Sequence, residues 1–181
     1  PLREMFDRYI PGWRVDNASL RYALGIQKLE IWDAHRRAKQ ALLNYVNQHT
    51  DAGMDLNTFT IGFARRATAY KRADLLFWNL DRLLAVQDKG LEFQLIFGGK
   101  AHPHDQMGKD LIRKIFEVKD RLKHRLRIAY LEEYDLALAT LSTAAVDPWP
   151  NTPLAPMEAS GTSGMKAAVN GVPSLSILDV W

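Results

Sequence analysis

Over residues 26–46 the apolar side chains Leu29, Trp32, Ala38, Leu42 and Val46 recur at helical spacing, with lysine and arginine between them. That period predicts one long amphipathic helix. Ahead of it Pro11-Gly12-Trp13 marks a turn, and behind it the polar, glycine-containing residues 51–57 read as a linker. The pattern then changes. Short apolar runs at 59–63, 91–97, 126–131 and 173–178 predict four strands. Helices are predicted between them over about 70–87, 109–122 and 136–143, with a last one starting near Gly161. The proline-dense residues 147–156 are expected to form a loop.

Apolar strands alternating with helices predict an α/β fold: a Rossmann-like parallel sheet flanked by helices, with the long helix preceding it. The organisation expected is an N-terminal helical segment over 1–50 and a Rossmann-like domain over 58–181. Right-handed crossovers place every strand-to-helix loop at one edge of such a sheet, where open sheets of this kind bind ligands. Three loops should meet there: residues 64–69, residues 98–105, and the stretch leading to Lys166.

Composition narrows the partners. A net charge of +3 suits a local anionic ligand but is too small to argue for nucleic acid. The absence of cysteine excludes disulfides and thiolate metal sites. No apolar run approaches the roughly 18 residues needed to span a membrane, and no basic-then-apolar N-terminal segment marks a secretion signal. The cytoplasm is the expected compartment. The chain opens at Pro1 without methionine and stops at Trp181 straight after an apolar run, as expected of a piece of a longer polypeptide.

Two segments carry candidate chemistry. In Glu158-Ala159-Ser160-Gly161-Thr162-Ser163-Gly164-Met165-Lys166, glycines and hydroxyl residues surround a helix start, where backbone N–H groups and the helix dipole favour a phosphate. Lys166, about a turn later, can face an anion or hold an aldehyde cofactor. On spacing alone a glycine-rich cap followed by a surface lysine fits equally well. In the second segment Arg65, Arg66, Lys71 and Arg72 fall at the junction of a strand and a predicted helix. Cations at a helix start oppose the dipole, which suggests an anion that supplies the missing negative charge. A solvated basic turn is the plainer reading.

Taken in order, FARRATAYKRADLLF, FGGKAHP and EASGTSGMK followed by AAVNG resemble the α-glucan (glycogen, starch and maltodextrin) phosphorylase family, most closely its shorter bacterial and archaeal branch. The resemblance runs from about Phe6 to Trp181. It implies half of a two-domain (GT-B) glycosyltransferase architecture, and it implies reversible transfer of the terminal α-1,4-linked glucose of a glucan to inorganic phosphate, giving glucose 1-phosphate. It implies pyridoxal 5'-phosphate held by Lys166, whose phosphate relays a proton to the substrate phosphate. It places Arg66 and Lys71 on phosphate, and Arg65, Thr162 and Ser163 at the cofactor phosphate. It puts Tyr134 beside the cofactor, and Glu158, Ala159, Ser160 and Gly161 in the sugar-binding stretch. It also implies that the rest of the sugar pocket lies in an N-terminal domain missing here. The isolated chain is then expected to be inactive and the parent a homodimer; the resemblance does not decide whether the isolated chain holds the cofactor.

Two positions depart from the animal-type enzymes of that family. Asp135 stands where they have an arginine, which removes one contact to the cofactor phosphate. Ser163-Gly164 replaces glycine-asparagine, with a backbone donor retained. A related sugar-nucleotide glycosyltransferase would carry a second glutamate eight residues after Glu158, where this chain has Lys166. A non-catalytic glucan-binding module is the other rival, and it does not explain Arg66, Lys71, Glu158 and Lys166 occurring together. His102 and His104 lack a third ligand for a metal, and Glu132-Glu133 reads as a solvated acid pair. Trp32 and Trp78 are expected to pack in the core or against another domain.

Overall fold

The structure is a computed structural model and describes residues 1–179; Val180 and Trp181, the last two residues of the expected domain, lie outside the described residues. The elements are α1 Leu2–Tyr9, α2 Lys28–His49, β1 Phe59–Ala64, α3 Leu80–Asp88, β2 Phe93–Gly98, α4 Gln106–Leu122, β3 Ile128–Leu131, α5 Leu136–Ala145, β4 Trp149–Asn151, α6 Thr162–Val169 and β5 Ser174–Ser176. The α/β class with a long preceding helix is as the apolar pattern predicts.

Every strand pair is parallel. β2 lies between β1 and β3 and is buried along its whole length, which is why its sequence reads as a continuous apolar run. Its register sets Ala64 against Gly98 and Gly98 against Leu131, so the three strands end flush. Successive residues of a strand point to opposite faces. Phe63, Leu95, Phe97, Ile128 and Tyr130 therefore pack with Phe77 and with Ile115, Val118 and Leu122 of α4. Ile96, Ala129 and Leu131 pack on the other face with Ala38, Leu42, Leu43 and Val46 of α2, Leu138 of α5 and Ala167 of α6. A small third cluster joins Met5, Ile10, Ile26 and Ala34 near the N-terminus.

Several expectations are corrected. The proline-dense segment is not all loop, because it contributes β4, which pairs with β5. The expected single sheet is two ladders meeting at a seam. There Asp147 N–H donates to Thr60 O (2.8 Å) and Gly62 N–H donates to Pro148 O (3.3 Å). Pro148 and Pro150 have no N–H to continue the ladder across that seam. Gly62 allows the close approach, since a Cβ on it would lie 2.5 Å from the Val146 side chain.

Residues 70–87 are likewise not one helix. They form 3₁₀ turns at Ala69–Lys71 and Leu75–Phe77 before α3 begins. Arg72 sits in the left-handed region (φ 47°, ψ 53°), which stops a right-handed helix there. Asn79 then starts α3 by accepting from Arg82 N–H at 2.9 Å. Finally, the stripe on α2 is buried only from Ala34 onward. Leu29 is 67% exposed and Trp32 51%, while Trp78 is 84% exposed. Neither tryptophan is a core residue of this chain, which leaves only packing against a further domain from that expectation. Among the described residues no helix is long and apolar enough to cross a membrane.

Candidate functional site

The site forms where the flush strand ends release their loops. Arg65 follows β1 directly, and its N–H donates to Gly98 O at 3.0 Å; Ala67 N–H donates to Lys100 O at the same distance. Gly99 (φ 142°) is required at this crossing, because a Cβ there would lie 1.9 Å from Arg65 O. The next turn is stitched to the segment after β4. Thr152 Oγ1 donates to Lys71 O (3.1 Å), Arg72 donates to Thr152 O (2.9 Å) and Pro153 O (2.8 Å), and Leu154 N–H donates to Tyr70 O (2.7 Å). Arg72, one of the four clustered cations, therefore has its guanidinium committed to holding two loops together.

At the centre stands Glu158, buried and gripped from two sides. Arg65 Nη2 donates to its Oε1 at 2.8 Å, and Lys71 Nζ reaches Oε1 at 3.2 Å and Oε2 at 3.0 Å. Gly161 N–H donates to Oε1 at 3.3 Å. Burial by itself would raise the Glu158 carboxyl, but the Lys71 hydrogen bond and the charge of Arg65 outweigh it and hold the group below the ordinary glutamate range. Arg65 and Lys71 are buried too. Lys71 Nζ additionally lies 4.6 Å from the centre of the Tyr70 ring, a cation–π contact. The negative charge that the basic segment demands is thus supplied, in this chain, by Glu158.

Next to this cluster lies a cleft of 190 Å³ lined by Asn151, Glu158, Gly161, Gly164, Ser174, Ser176 and Asp179. The start of α6 faces the same region through Gly161 and Gly164. Gly161, its N-cap, is left-handed (φ 63°), and no side chain caps the helix. A helix start leaves its leading N–H groups without intrahelical partners. Ser163 Oγ is buried with no hydrogen-bond partner, and so is Thr68 Oγ1 in the loop between Arg66 and Lys71. Uncapped N–H groups, an orphaned hydroxyl and a cationic pair are the donor set that a phosphate group requires. These residues fit a phosphate-bearing cofactor. Lys166 lies three residues after Ser163 and four after Thr162, hence on the same helix face. It is exposed and makes no side-chain hydrogen bond or ion pair among the described residues.

The structure thus brings Arg65, Lys71, Glu158 and Gly161 into one contact network. Tyr134 stands at the same sheet edge. Its ring would meet a Cβ on Gly98 at 2.9 Å, and burial first, then the charge of Asp135, pushes its hydroxyl up to about 12. Thr162, Ser163 and Lys166 share the start and face of α6. Arg66 and Ala159 are exposed and stand outside that network; Ser160 is exposed as well. Asp135, the departure from the animal-type pattern, has a local job as the N-cap of α5, accepting from Leu138 N–H at 2.8 Å. Glu133 (φ 52°) pairs with Lys100 at 2.7 Å on the surface.

Sequence reasoning missed the layer behind the cluster. Arg65 Nη1 donates to Asn151 Oδ1, Asn151 Nδ2 donates to Ser176 Oγ at 2.9 Å, and Asp179 Oδ2 accepts from Glu158 N–H at 2.9 Å. The available signal was a polar residue between two prolines, Pro150 and Pro153, at Asn151.

Fold and site together define a parallel α/β protein with a cleft beside a buried Arg65–Glu158–Lys71 cluster at its strand ends. Residues 24–180 match the model of the carbohydrate phosphorylase family. The chain is 39% identical to a maltodextrin phosphorylase of Thermococcus litoralis across 99% of its own length and 24% of that protein's. It is 43% identical to a glycogen phosphorylase of Aquifex aeolicus across 84% of its length and 25% of the relative's. With a glycogen phosphorylase of Mycobacterium tuberculosis the figures are 41%, 86% and 19%. The chain belongs to the carbohydrate phosphorylase family, and it spans between 19% and 25% of the length of these relatives.

Proposed function

We propose that this chain is the cofactor-bearing part of an α-glucan phosphorylase, which transfers the terminal α-1,4-linked glucose of a glucan to inorganic phosphate and yields glucose 1-phosphate in the cytoplasm. The observation that carries the reading is the buried Arg65–Glu158–Lys71 cluster lying against the uncapped, glycine-rich start of the helix that bears Lys166. Lys166 would hold pyridoxal 5'-phosphate through its ε-amine, with Thr162, Ser163 and Arg65 at the cofactor phosphate and Tyr134 beside it. When bound, the cofactor supplies through its phosphate the acid–base group that meets the substrate phosphate. Every other task falls to side chains.

Two phosphates brought face to face repel, by several kcal/mol even for one pair of charges in a partly dry site. Arg66 offers a planar fork and Lys71 a compact charge to offset that repulsion. Arg66 is exposed and pairs with no acid among the described residues, so its charge is available to an incoming anion. Glu158, held ionised, is an acceptor for sugar hydroxyls, with the backbone of Ala159, Ser160 and Gly161 alongside. Fixed charges of this kind act by being in place before the reaction rather than by moving during it. The remaining sugar-binding walls belong to the part of the parent outside this chain, so the isolated chain should turn over no glucan.

The test is chemical. Incubation with pyridoxal 5'-phosphate, reduction with borohydride and peptide mapping should place the label on Lys166. Labelling of another lysine with Lys166 untouched would remove the assignment. Release of glucose 1-phosphate from maltodextrin by the isolated chain would overturn its expected inactivity.

A further inference from the structure

Resting on the reading of the crevice as a phosphate site, we propose that Asn151 is a positioning residue that holds Arg65 by a neutral acceptor, so that the cleft, already lined by Glu158 and Asp179, gains no third carboxylate to repel the anion. The inference comes from the place of Asn151 in a directed chain of hydrogen bonds.

That chain has a fixed direction. Ser176 Oγ donates to Ile177 O at 2.8 Å, so its lone pairs face Asn151 and accept from Asn151 Nδ2 at 2.9 Å. The amide oxygen of Asn151 is then the atom turned toward Arg65, whose guanidinium can only donate. Arg65 uses its other terminal nitrogen on Glu158 at 2.8 Å. The backbone of Asn151 is anchored as well, since Ile177 N–H donates to Asn151 O at 2.9 Å. Asn151 is buried, so its geometry is set by the β4–β5 ladder and not by solvent.

Charge explains why the acceptor is an amide. Arg65 and Lys71 bring two positive charges, which the carboxylates of Glu158 and Asp179, both lining the cleft, balance. Among the described residues Glu158 is the acid that touches both cations, and Asp179 Oδ2 accepts from Glu158 N–H. An aspartate at position 151 would match the size of asparagine and pair Arg65 more strongly, yet it would add a third carboxylate and leave the cleft net negative. A purely structural role would welcome that exchange. A role in admitting a phosphate would not.

The experiment measures binding of pyridoxal 5'-phosphate and of pyridoxal to the same protein by calorimetry. The ratio of the two affinities isolates what the phosphate contributes. Because both ligands are measured on each variant, the ratio is insensitive to any loss of folded protein. Asn151→Asp should lower the ratio by about tenfold, the scale of one partly screened charge pair. Asn151→Ser, which keeps a neutral acceptor, should stay within about threefold of the unaltered chain. If Asn151→Asp leaves the ratio unchanged, or Asn151→Ser lowers it more than Asn151→Asp does, the proposal is overturned. If the unaltered chain shows no preference for the phosphate-bearing ligand, the phosphate reading of the crevice fails, and this inference fails with it.

Discussion

Two carboxylates in this molecule have the same exposure, 8% each, and each is held by two basic side chains. Asp147 accepts from Lys39 Nζ (2.6 Å) and Thr60 N–H (2.6 Å) and is bonded to His35 Nε2 (2.9 Å). Glu158 is held by Arg65 and Lys71. Burial and charge therefore do not tell them apart. Their anchorage does. Lys39 and His35 ride on the 22-residue helix α2 and Thr60 sits inside β1, so the Asp147 cluster ties one packed element to another. Lys39 also donates to Thr58 O at 2.8 Å, which leaves little room to exchange a partner. The Glu158 cluster joins two loops at the edge of a cleft, and an arriving anion can compete for its cations. The same chemistry is a fastening in one place and, under the proposed function, a receptor in the other.

The sharpest way to break this comparison is Asp147→Ala. It strands Lys39 in the interior, and breaking a buried pair this way costs about 3–5 kcal/mol. Urea unfolding should show that loss without a change in slope; a loss below about 1 kcal/mol would place Asp147 with ordinary surface pairs. Glu158→Gln should cost less, about 1–3 kcal/mol, because water in the cleft can solvate the freed cations. It should also strengthen binding of inorganic phosphate, an effect Asp147→Asn should lack.

A pH series sharpens the contrast further. Burial would raise the Asp147 carboxyl, but bonds from His35, Lys39 and Thr60 outweigh it and hold the group below the ordinary aspartate range; Glu158 is held low as well. When the folded value lies below the unfolded one, the unfolded chain binds more protons in the interval. Stability is then fully present above the ordinary carboxylate range, about pH 4 to 4.5, and is lost as pH falls through the depressed folded values. Thermal melts between about pH 5 and pH 3 should show this loss, and the loss should shrink in the Asp147→Asn, Glu158→Gln double variant. The smallest effect is expected at Asp135→Ala, where losing the α5 cap should cost about 1 kcal/mol and leave ligand binding unaltered. A change in cofactor affinity there would mean that Asp135 reaches the site after all.

The comparison also explains what could be read in advance. The strands β1, β2 and β3, the long helix and the glycine-rich start of α6 are local patterns, and they were legible. Arg65, Lys71 and Glu158 were legible as candidates, because residue type and neighbourhood mark them. Their mutual contact was not, since Glu158 is 93 residues from Arg65 and 87 from Lys71. Lys39 shows the limit most clearly. A lysine between apolar helix positions reads as solvated, and only Asp147, 108 residues later, makes its burial possible. Gln94 is similar: it interrupts an apolar strand because its amide pairs with the Asp55 backbone and Thr60 Oγ1. β4 was hidden by Pro150 within it and the prolines that flank it, and the helix break at Arg72 by a backbone angle that no composition announces.

The flush ends of β1, β2 and β3 have a consequence for how such a site can vary. Side chains alternate faces at every residue, so a one-residue deletion within β1 would turn its side chains onto the opposite face of the sheet. Arg65, first beyond the strand, would swing with them away from Glu158. Substitutions leave that alignment intact, whereas changes of length do not. Variation by insertion and deletion should therefore collect in the loops beyond the crossing of Arg65 and Gly99, leaving the three strands at constant length.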